Sequence, residues 1–354
     1  MPSWWDRFGH EWAKSGLTDD PTFAQADAGW AFIGQAPPTV EQFNSMFQWV
    51  DDKDNWLYGQ IANCILGASM TPVYNDLTQL WNAIRSLQRT KLTADLALYV
   101  DVVNGNDVTG NGTTGNPWKT VQKAINTVYA TIDGGGHNII VQLKVPGTYD
   151  PFYHNQPIIN GNLIVQGDIA NPRSYIIKNA NGAAVFASGG ANLYAQGFSV
   201  EATGSTGDYT PAGIGFFADR GGAIVHDTIA FGPCSQMQIL VSGSGVVYPW
   251  QGASGKYSIY GASPYHVRAT TGGSFTNARN TITITGNPTF SGCFYLCESN
   301  GNMNAWSATF TGTIVGRKYI VNTGAIINMS GTGDSSIPGT IAGIVDAATY
   351  GMLI

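Results

Sequence analysis

Beyond residue 100 the chain holds only two glutamates, Glu201 and Glu298, and ten aspartates. Hydrolysis of a glycosidic bond takes two carboxylates about 5–9.5 Å apart, and elimination from a uronate takes a base beside a group that neutralises the sugar carboxylate. Glu201, Asp219 and Asp227, with His226 next to Asp227, are the set that meets on one face if they fall in neighbouring turns of a repeating fold. The competing reading is structural: Asp219-Arg220-Gly221-Gly222 is turn chemistry ahead of a strand. That reading is preferred, and no catalytic residue is assigned. A second constellation is aromatic. Tyr248, Trp250, Tyr257, Tyr260 and Tyr265 fall within 18 residues of a Gly/Ser/Pro-rich stretch. Sugars stack on such rings, so these five are the candidate glycan-binding residues; the alternative is that they fill a core or an interface between chains.

Other chemistry finds little support. Asp101 to Asn111 gathers side-chain oxygens in a loose calcium-like array, but it lacks the closing bidentate glutamate of an EF-hand, and turn formation explains it better. The five histidines show no metal-ligand spacing. Gly252 to Tyr257 lacks the spacing of a phosphate loop. Cys293 and Cys297 on one strand would stand about 13 Å apart, too far for a disulfide, which needs Cα atoms within about 7 Å; they read as small buried hydrophobes. No metal and no cofactor is expected.

The elements that must position these residues follow from composition. Of 354 residues 45 are glycine, charged residues are 11%, hydrophobic residues 43% and aromatic residues 12%. Ordinary soluble domains carry about 25% charge. This much apolar and aromatic content argues against a disordered chain, and with the low charge it fits a repetitive β protein faced with hydroxyls and amides. The net charge of −6 comes with no basic stripe, so nucleic acid is not an expected partner. No apolar run approaches the roughly 20 residues of a membrane helix, and the opening MPSWWDRFGHEW does not read as a secretory signal.

Most of the helix signal lies in residues 1–95. Pro37-Pro38, Thr39 as N-cap and Gln42 as its capping-box partner predict a helix over 38–57, with Val40, Phe43, Met46, Phe47, Val50, Trp56 and Leu57 at helical spacing. Val73, Leu77, Leu80, Trp81, Ile84 and Leu87 predict a second over about 72–92. From Asn138 the period changes to two. Glycine then precedes a strand at Gly161, Gly190, Gly222, Gly245, Gly273, Gly301 and Gly324, in steps of 23 to 32 residues, the range of solenoid repeats. Short strands at this spacing, without two-residue Asn-Gly hairpins, favour stacked coils over an antiparallel sandwich. A helix over 117–130, with Trp118, Val121, Ile125 and Val128 on one face, is placed to cover the first coil.

Three segments resemble bacteriophage tail fibres and tailspikes. The first joins Val100-Asp101, Asn104-Gly105-Asn106-Asp107, Gly112-Thr113 and Pro117 through Ile125, and is similar to the opening of their right-handed parallel β-helices. The second resembles the module that joins such fibres to the tail: Asp27-Ala28-Gly29-Trp30, Gly34 through Pro38, Glu41-Gln42-Phe43-Asn44, Asp52-Lys53 and Asn55-Trp56-Leu57. The third, Ile337 through Gly343 followed by Tyr350-Gly351, resembles their small terminal motif. The resemblance implies a mainly β chain in three parts. These are a helical virion-attachment domain over 1–95, a parallel β-helix shaft over 96–335 and a C-terminal motif over 336–354. It implies a homotrimer and a virion component made in the host cytoplasm. Residues 1–95 would dock a tail, baseplate or nozzle protein, with Trp30, Phe32, Gln42, Phe43 and Trp56 in the attachment surface. The partner would be a bacterial surface polysaccharide, bound or, in the alternative, cleaved. A second alternative is a virion adaptor with no host contact.

Overall fold

The computed structural model describes residues 39–66, 89–204, 212–250, 256–330 and 334–354. The chain divides into two compact units, Met1–Gln88 and Arg89–Ile354. In the first, helix α1 (Val40–Leu66) begins as its residues dictate. The Gln42 amide donates to Thr39 Oγ1 at 3.2 Å, and the Thr39 amide donates to Gln42 Oε1 at 3.1 Å, a reciprocal cap. The helix continues well past Leu57. Phe43 and Trp56 lie exposed on it, and Phe43 stacks on Phe47 at 6.5 Å. Trp30 and Phe32 lie outside the described residues, as do residues 72–88 of the expected second helix. The end of that helix is corrected: Thr90–Lys91 is a strand paired with Ile132–Asp133. The Arg89 guanidinium and the Leu92 amide, donating to the Tyr129 and Asp133 carbonyls, hold the chain extended there.

From Leu96 the chain winds into a parallel β-solenoid. A complete turn lays a short strand in each of three sheets, and with the partial turns at the two ends the sheets have ten, seven and nine strands; they are called first, second and third in the order the chain visits them. Register runs without slip from turn to turn at Leu96–Val100, Asn138–Leu143, Asn162–Gln166 and Asn192–Gln196. Every pairing between these strands is parallel, which excludes the sandwich.

The recurrent glycines mark the corner from the third sheet into the first. There the chain takes two successive residues at positive φ, such as Thr271 and Gly272 or Ser299 and Asn300. An i to i+3 hydrogen bond closes the turn, Gly273 to Thr270 at 2.8 Å and Gly301 to Glu298 at 2.9 Å. This is the backbone of a tight hairpin turn, used here to change sheets. The next residue comes so close to the turn below that a Cβ on Gly273 would collide with the Val241 carbonyl.

Inward positions stack into columns. Leu163, Leu193, Ile224, Val247, Phe275, Met303 and Ile327 succeed one another in register and are fully buried. Each contributes about 1.5–3 kcal/mol by leaving water. Helix α2 (Val121–Thr131) covers the first coil with Val121, Ala124, Ile125 and Val128. It starts later than the spacing predicts. The Asp107 carboxylate accepts the Lys119 and Thr120 amides and the Thr120 hydroxyl, so Thr120 becomes the N-cap. Trp118 is bridged to Val100 ahead of the helix and still lies in the core. Segment 336–354 continues the stack: Ile344–Val345 pairs with Tyr319–Val321, and Met352–Leu353 with Ile326–Asn328.

Outward positions form columns too, and the three faces differ. On the second sheet one column reads Thr148, Ile176, Ser199, Ala230, Ser258, Thr283, Thr311. On the third sheet the corresponding column reads Tyr153, Phe186, Phe217, Leu240, Arg268, Leu296, Ile320, Ile344.

The interior also encloses polar groups. His266 bridges the Gln238 side-chain carbonyl at 2.7 Å and the Tyr257 hydroxyl at 3.0 Å. His226 packs edge-on to Tyr257 with neither ring nitrogen hydrogen-bonded. His154 contacts the Tyr129 hydroxyl at 2.7 Å. Burial pushes His154 and His226 down to about 4 and His266 to about 3. The unfolded chain binds these protons near pH 6.5 and the folded one does not. Stability therefore falls as pH drops from about 6.5 toward 4. Urea titrations at pH 7.5, 6 and 5 should show a declining unfolding free energy, and His226→Leu should flatten the slope; equal stability at all three values refutes this. Gly273→Ala should cost about 1–3 kcal/mol, the range of overpacked sites, read from the same titrations at pH 7.5.

Candidate functional site

Strand alternation sends every second residue of the first sheet outward, and register turns those residues into ladders. Tyr99, Gln142, Gln166, Gln196 and Asp227 occupy one column. Ile140, Ile164, Tyr194, Val225 and Tyr248 occupy the next. The Gln196 amide donates to Gln166 Oε1 at 2.6 Å, and the Gln142 amide donates to the Gln166 carbonyl at 3.1 Å. Trp250, whose amide donates to the His226 carbonyl, meets Tyr194 edge-to-face at 5.2 Å. Val225 lies in register between Tyr194 and Tyr248. It points outward yet is only 2% exposed, so these rings roof it. Tyr194, Tyr248 and Trp250 are themselves half-buried. Burial and then the neighbouring Tyr194 raise the Tyr248 hydroxyl above its usual range.

At the corner from the first sheet to the second, the ladder opens into a groove of about 450 Å³. Tyr99, Gln142, Lys144, Gln166, Asp168 and Tyr175 line it. Asp168 is pinned by the Asn171 side chain at 3.0 Å and the Ala170 amide at 2.8 Å, and these bonds lower its pKa. Lys144 reaches Asp101 at 3.7 Å. Two rings, two amides and a balanced pair of charges therefore face one opening of the size small-molecule sites occupy.

The expected carboxylate set does not converge. Glu201 lies on the outer face of the second sheet, with Oε2 2.9 Å from Lys178 and Oε1 accepting the Tyr260 hydroxyl at 3.1 Å. Asp219 sits in a corner turn, accepting Ser242 Oγ at 2.8 Å. Asp227 ends the strand Ala223–Asp227, which Asp219 precedes, so the two are separated by at least about 13 Å of strand. His226 faces inward while Asp227 faces outward, because neighbours on a strand point to opposite sides. The three carboxylates occupy a face, a corner and a strand end.

The five aromatics likewise disperse around one coil. Tyr257 is a core residue, 2% exposed. Tyr260 lies under the Arg173 guanidinium at 4.4 Å, its hydroxyl pushed up to about 12 by burial and by Glu201. Tyr265 packs with Met237 on the third sheet. Only Tyr248 and Trp250 share a patch. Their companions Tyr99, Gln142, Gln166, Tyr175, Tyr194 and Gln196 escape the sequence reading. The available signal is Gln at or next to the end of successive first-sheet strands, in Val141-Gln142, Val165-Gln166-Gly167 and Ala195-Gln196-Gly197.

The oxygen-rich stretch at Asp101–Asn111 is a run of turns. Asp101 accepts the Val103 and Asn104 amides, Asn106 those of Val108 and Thr109, and Asn111 that of Thr113. Cys234, Cys293 and Cys297 are free thiols in the interior, raised to about 12 by burial.

No family model matches the sequence, and no curated protein does. Among solved structures, the crystal structure of the GH136 lacto-N-biosidase from Eubacterium ramulus aligns with 89% of this chain and 65% of its own, at 10% identity and a TM-score of 0.33. The chain thus spans less than two thirds of that protein's length.

Tyr194→Ala should cost about 0.5–1.5 kcal/mol beyond the area it exposes, the value of an edge-to-face ring pair. It should also shift the emission assigned to Trp250 by difference from Trp250→Phe to longer wavelength. Unchanged emission would mean the two rings are not in contact.

Proposed function

We propose that the outer face of the first sheet binds a glycan, and that the chain is a structural, receptor-binding component of a phage tail fibre or tailspike. The observation that carries the glycan reading is the union of a half-buried ring cluster, Tyr194, Tyr248 and Trp250, with a glutamine ladder that leads into the tyrosine-flanked groove. A sugar ring has an apolar face for stacking and a rim of hydroxyls for amides to hold. Rigid ladders hold both kinds of partner in place before the ligand arrives, which lowers the entropy lost on binding. The virion reading rests on the three sequence segments in their expected order. In it residues 1–95 dock a tail protein, through Gln42, Phe43 and Trp56 among others, and the solenoid extends toward the bacterial envelope.

The test is calorimetric titration of the whole chain with surface polysaccharide from candidate hosts, alongside Trp250→Ala and Gln166→Ala. Trp250→Ala should weaken binding about tenfold or more, since an anchoring ring carries over 1.4 kcal/mol, and Gln166→Ala by a smaller factor. Absence of binding across envelope glycans, or binding that both variants leave intact, defeats the reading. Sizing the polysaccharide after incubation separates the alternatives: unchanged chains mean adhesion, shortened chains mean a depolymerase. Labelled protein that stains no host cell favours an adaptor. Immunogold labelling of particles tests the place in the virion.

A further inference from the structure

We propose that the groove at the corner from the first sheet to the second holds a sugar bearing a protonated amino group, with Asp168 as its counter-ion, and discriminates against acidic sugars. This rests on the glycan reading of the first sheet and names the class of glycan.

The two charges on the groove walls are not equally free. Lys144 and Asp168 both line the opening, but the Lys144 ammonium already has Asp101 Oδ2 at 3.7 Å, on a carboxylate that is buried. Lys144 and Asp101 form a neutral pair. Among the described residues no lysine, arginine or histidine pairs with Asp168. Its Oδ1 accepts the Ala170 amide and its Oδ2 the Asn171 side chain. A carboxylate has about four lone-pair sites, so about two stay open to a ligand. The same two bonds hold the group in its ionised form. Tyr175 is its neighbour: burial and then the Asp168 charge raise the Tyr175 hydroxyl. An ammonium brings three donors and a positive charge to this carboxylate, and the phenol rings of Tyr99 and Tyr175 attract a cation. A hydroxyl takes the hydrogen bonds without the charge, and a sugar carboxylate is repelled.

The loop that carries Asp168 is fixed to the shaft. The Gly167 amide donates to the Gln196 carbonyl at 2.9 Å. Gly197 of the next turn, at φ +68°, packs so close that a Cβ there would meet the Ile169 nitrogen. The loop then runs along the solenoid. Its 3-10 turn Pro172–Ser174 lies against the strands Ser199–Ala202 and Ile229–Cys234 of the following turns. Beyond them Arg173 covers the Tyr260 ring at 4.4 Å and donates to Thr285 Oγ1 at 2.7 Å. Ser199 and Ala230 point outward on those strands and are nevertheless fully buried, so the loop is part of the wall. A carboxylate held in place before the ligand arrives loses little freedom on pairing.

The test is calorimetric titration of the whole chain at about pH 6.5, where an amine of pKa about 7.7 is protonated. The probes are oligosaccharides of matched length built from glucosamine, N-acetylglucosamine and galacturonate. The glucosamine chain should bind about tenfold or more tighter than the acetylated one, the effect of a charge-assisted hydrogen bond, and the galacturonate chain weakest. Raising salt from about 20 to about 300 mM should narrow the difference. Asp168→Asn keeps an acceptor for the turn, removes the charge and should bring glucosamine and N-acetylglucosamine chains to near equality. Ile169→Lys, at a groove position 47% exposed, sets a cation beside Asp168 and should do the same; exposure makes it the safer variant to fold, and circular dichroism checks both. Equal or tighter binding of the acetylated or acidic chain, or a preference for the amine that both folded variants keep, overturns this proposal and leaves the glycan reading standing. Failure of the glucosamine chain to bind overturns it as well, and titration with host polysaccharide then decides whether the glycan reading falls with it.

Discussion

Every internal strand of the solenoid finds its backbone partners in the turn above and the turn below. Buried amides and carbonyls must be paired, and a strand of three to five residues has no other source of partners. That requirement fixes where each coil lies over the previous one, and hence where it turns. The corner at Gly273 shows how tight the condition is: the chain must reverse through two left-handed residues and then clear the Val241 carbonyl. It also leaves the terminal coils with one unpaired edge each. At the start, helix α2 lays four buried side chains on the first coil. Asp107 makes that possible by holding the Lys119 and Thr120 amides from the preceding loop, so that Thr120 caps the helix.

In-register stacking has a second consequence. Each side chain repeats its direction from rung to rung, so the surface is a set of columns with separate characters. The first sheet carries amides and rings, the second hydroxyls, the third an apolar stripe. A ladder such as Gln166–Gln196 is rigid because both members are fixed by the backbone under them. Function on such a molecule depends on the column a residue joins. Tyr248 and Trp250 gain a partner in Tyr194, more than fifty positions earlier in the chain, because two rungs bring them together.

This explains what the sequence reveals and what it conceals. The glycine punctuation at Gly222, Gly245, Gly273 and Gly301 is legible because each marks the same corner, where the adjacent turn leaves no room for a Cβ. Thr39 and Gln42 are legible because capping is local. Facing is not. Alternation sets Tyr257 and Tyr260, three residues apart, on opposite sides, but which of them is core depends on a phase that only the fold fixes. Between them and Tyr265 lie a corner and a register shift at Ser263/Tyr265. Parity cannot be carried across a bend, and rungs of 23 to 32 residues place those bends at unequal intervals. The Glu201, Asp219 and Asp227 set fails for the same reason: adjacent coils do not imply a shared face.

The low charge of the chain follows from the same geometry. Two like charges one rung apart, at ~4.8 Å, repel by about 0.9 kcal/mol in bulk water and about 3.5 kcal/mol at an effective dielectric of 20. A charged column would multiply that term along the shaft. Amides and hydroxyls stack without it, and asparagine or glutamine ladders gain a hydrogen bond per step, as between Asn138 and Asn162 at 3.1 Å. Charges are accommodated as opposites across a rung. Lys178 and Glu201 are register neighbours 2.9 Å apart, and Arg268 reaches forward to Glu298. A charged fraction of 11% is therefore what stacked, in-register coils select, and the amides and hydroxyls that replace charge are the groups that hold a sugar.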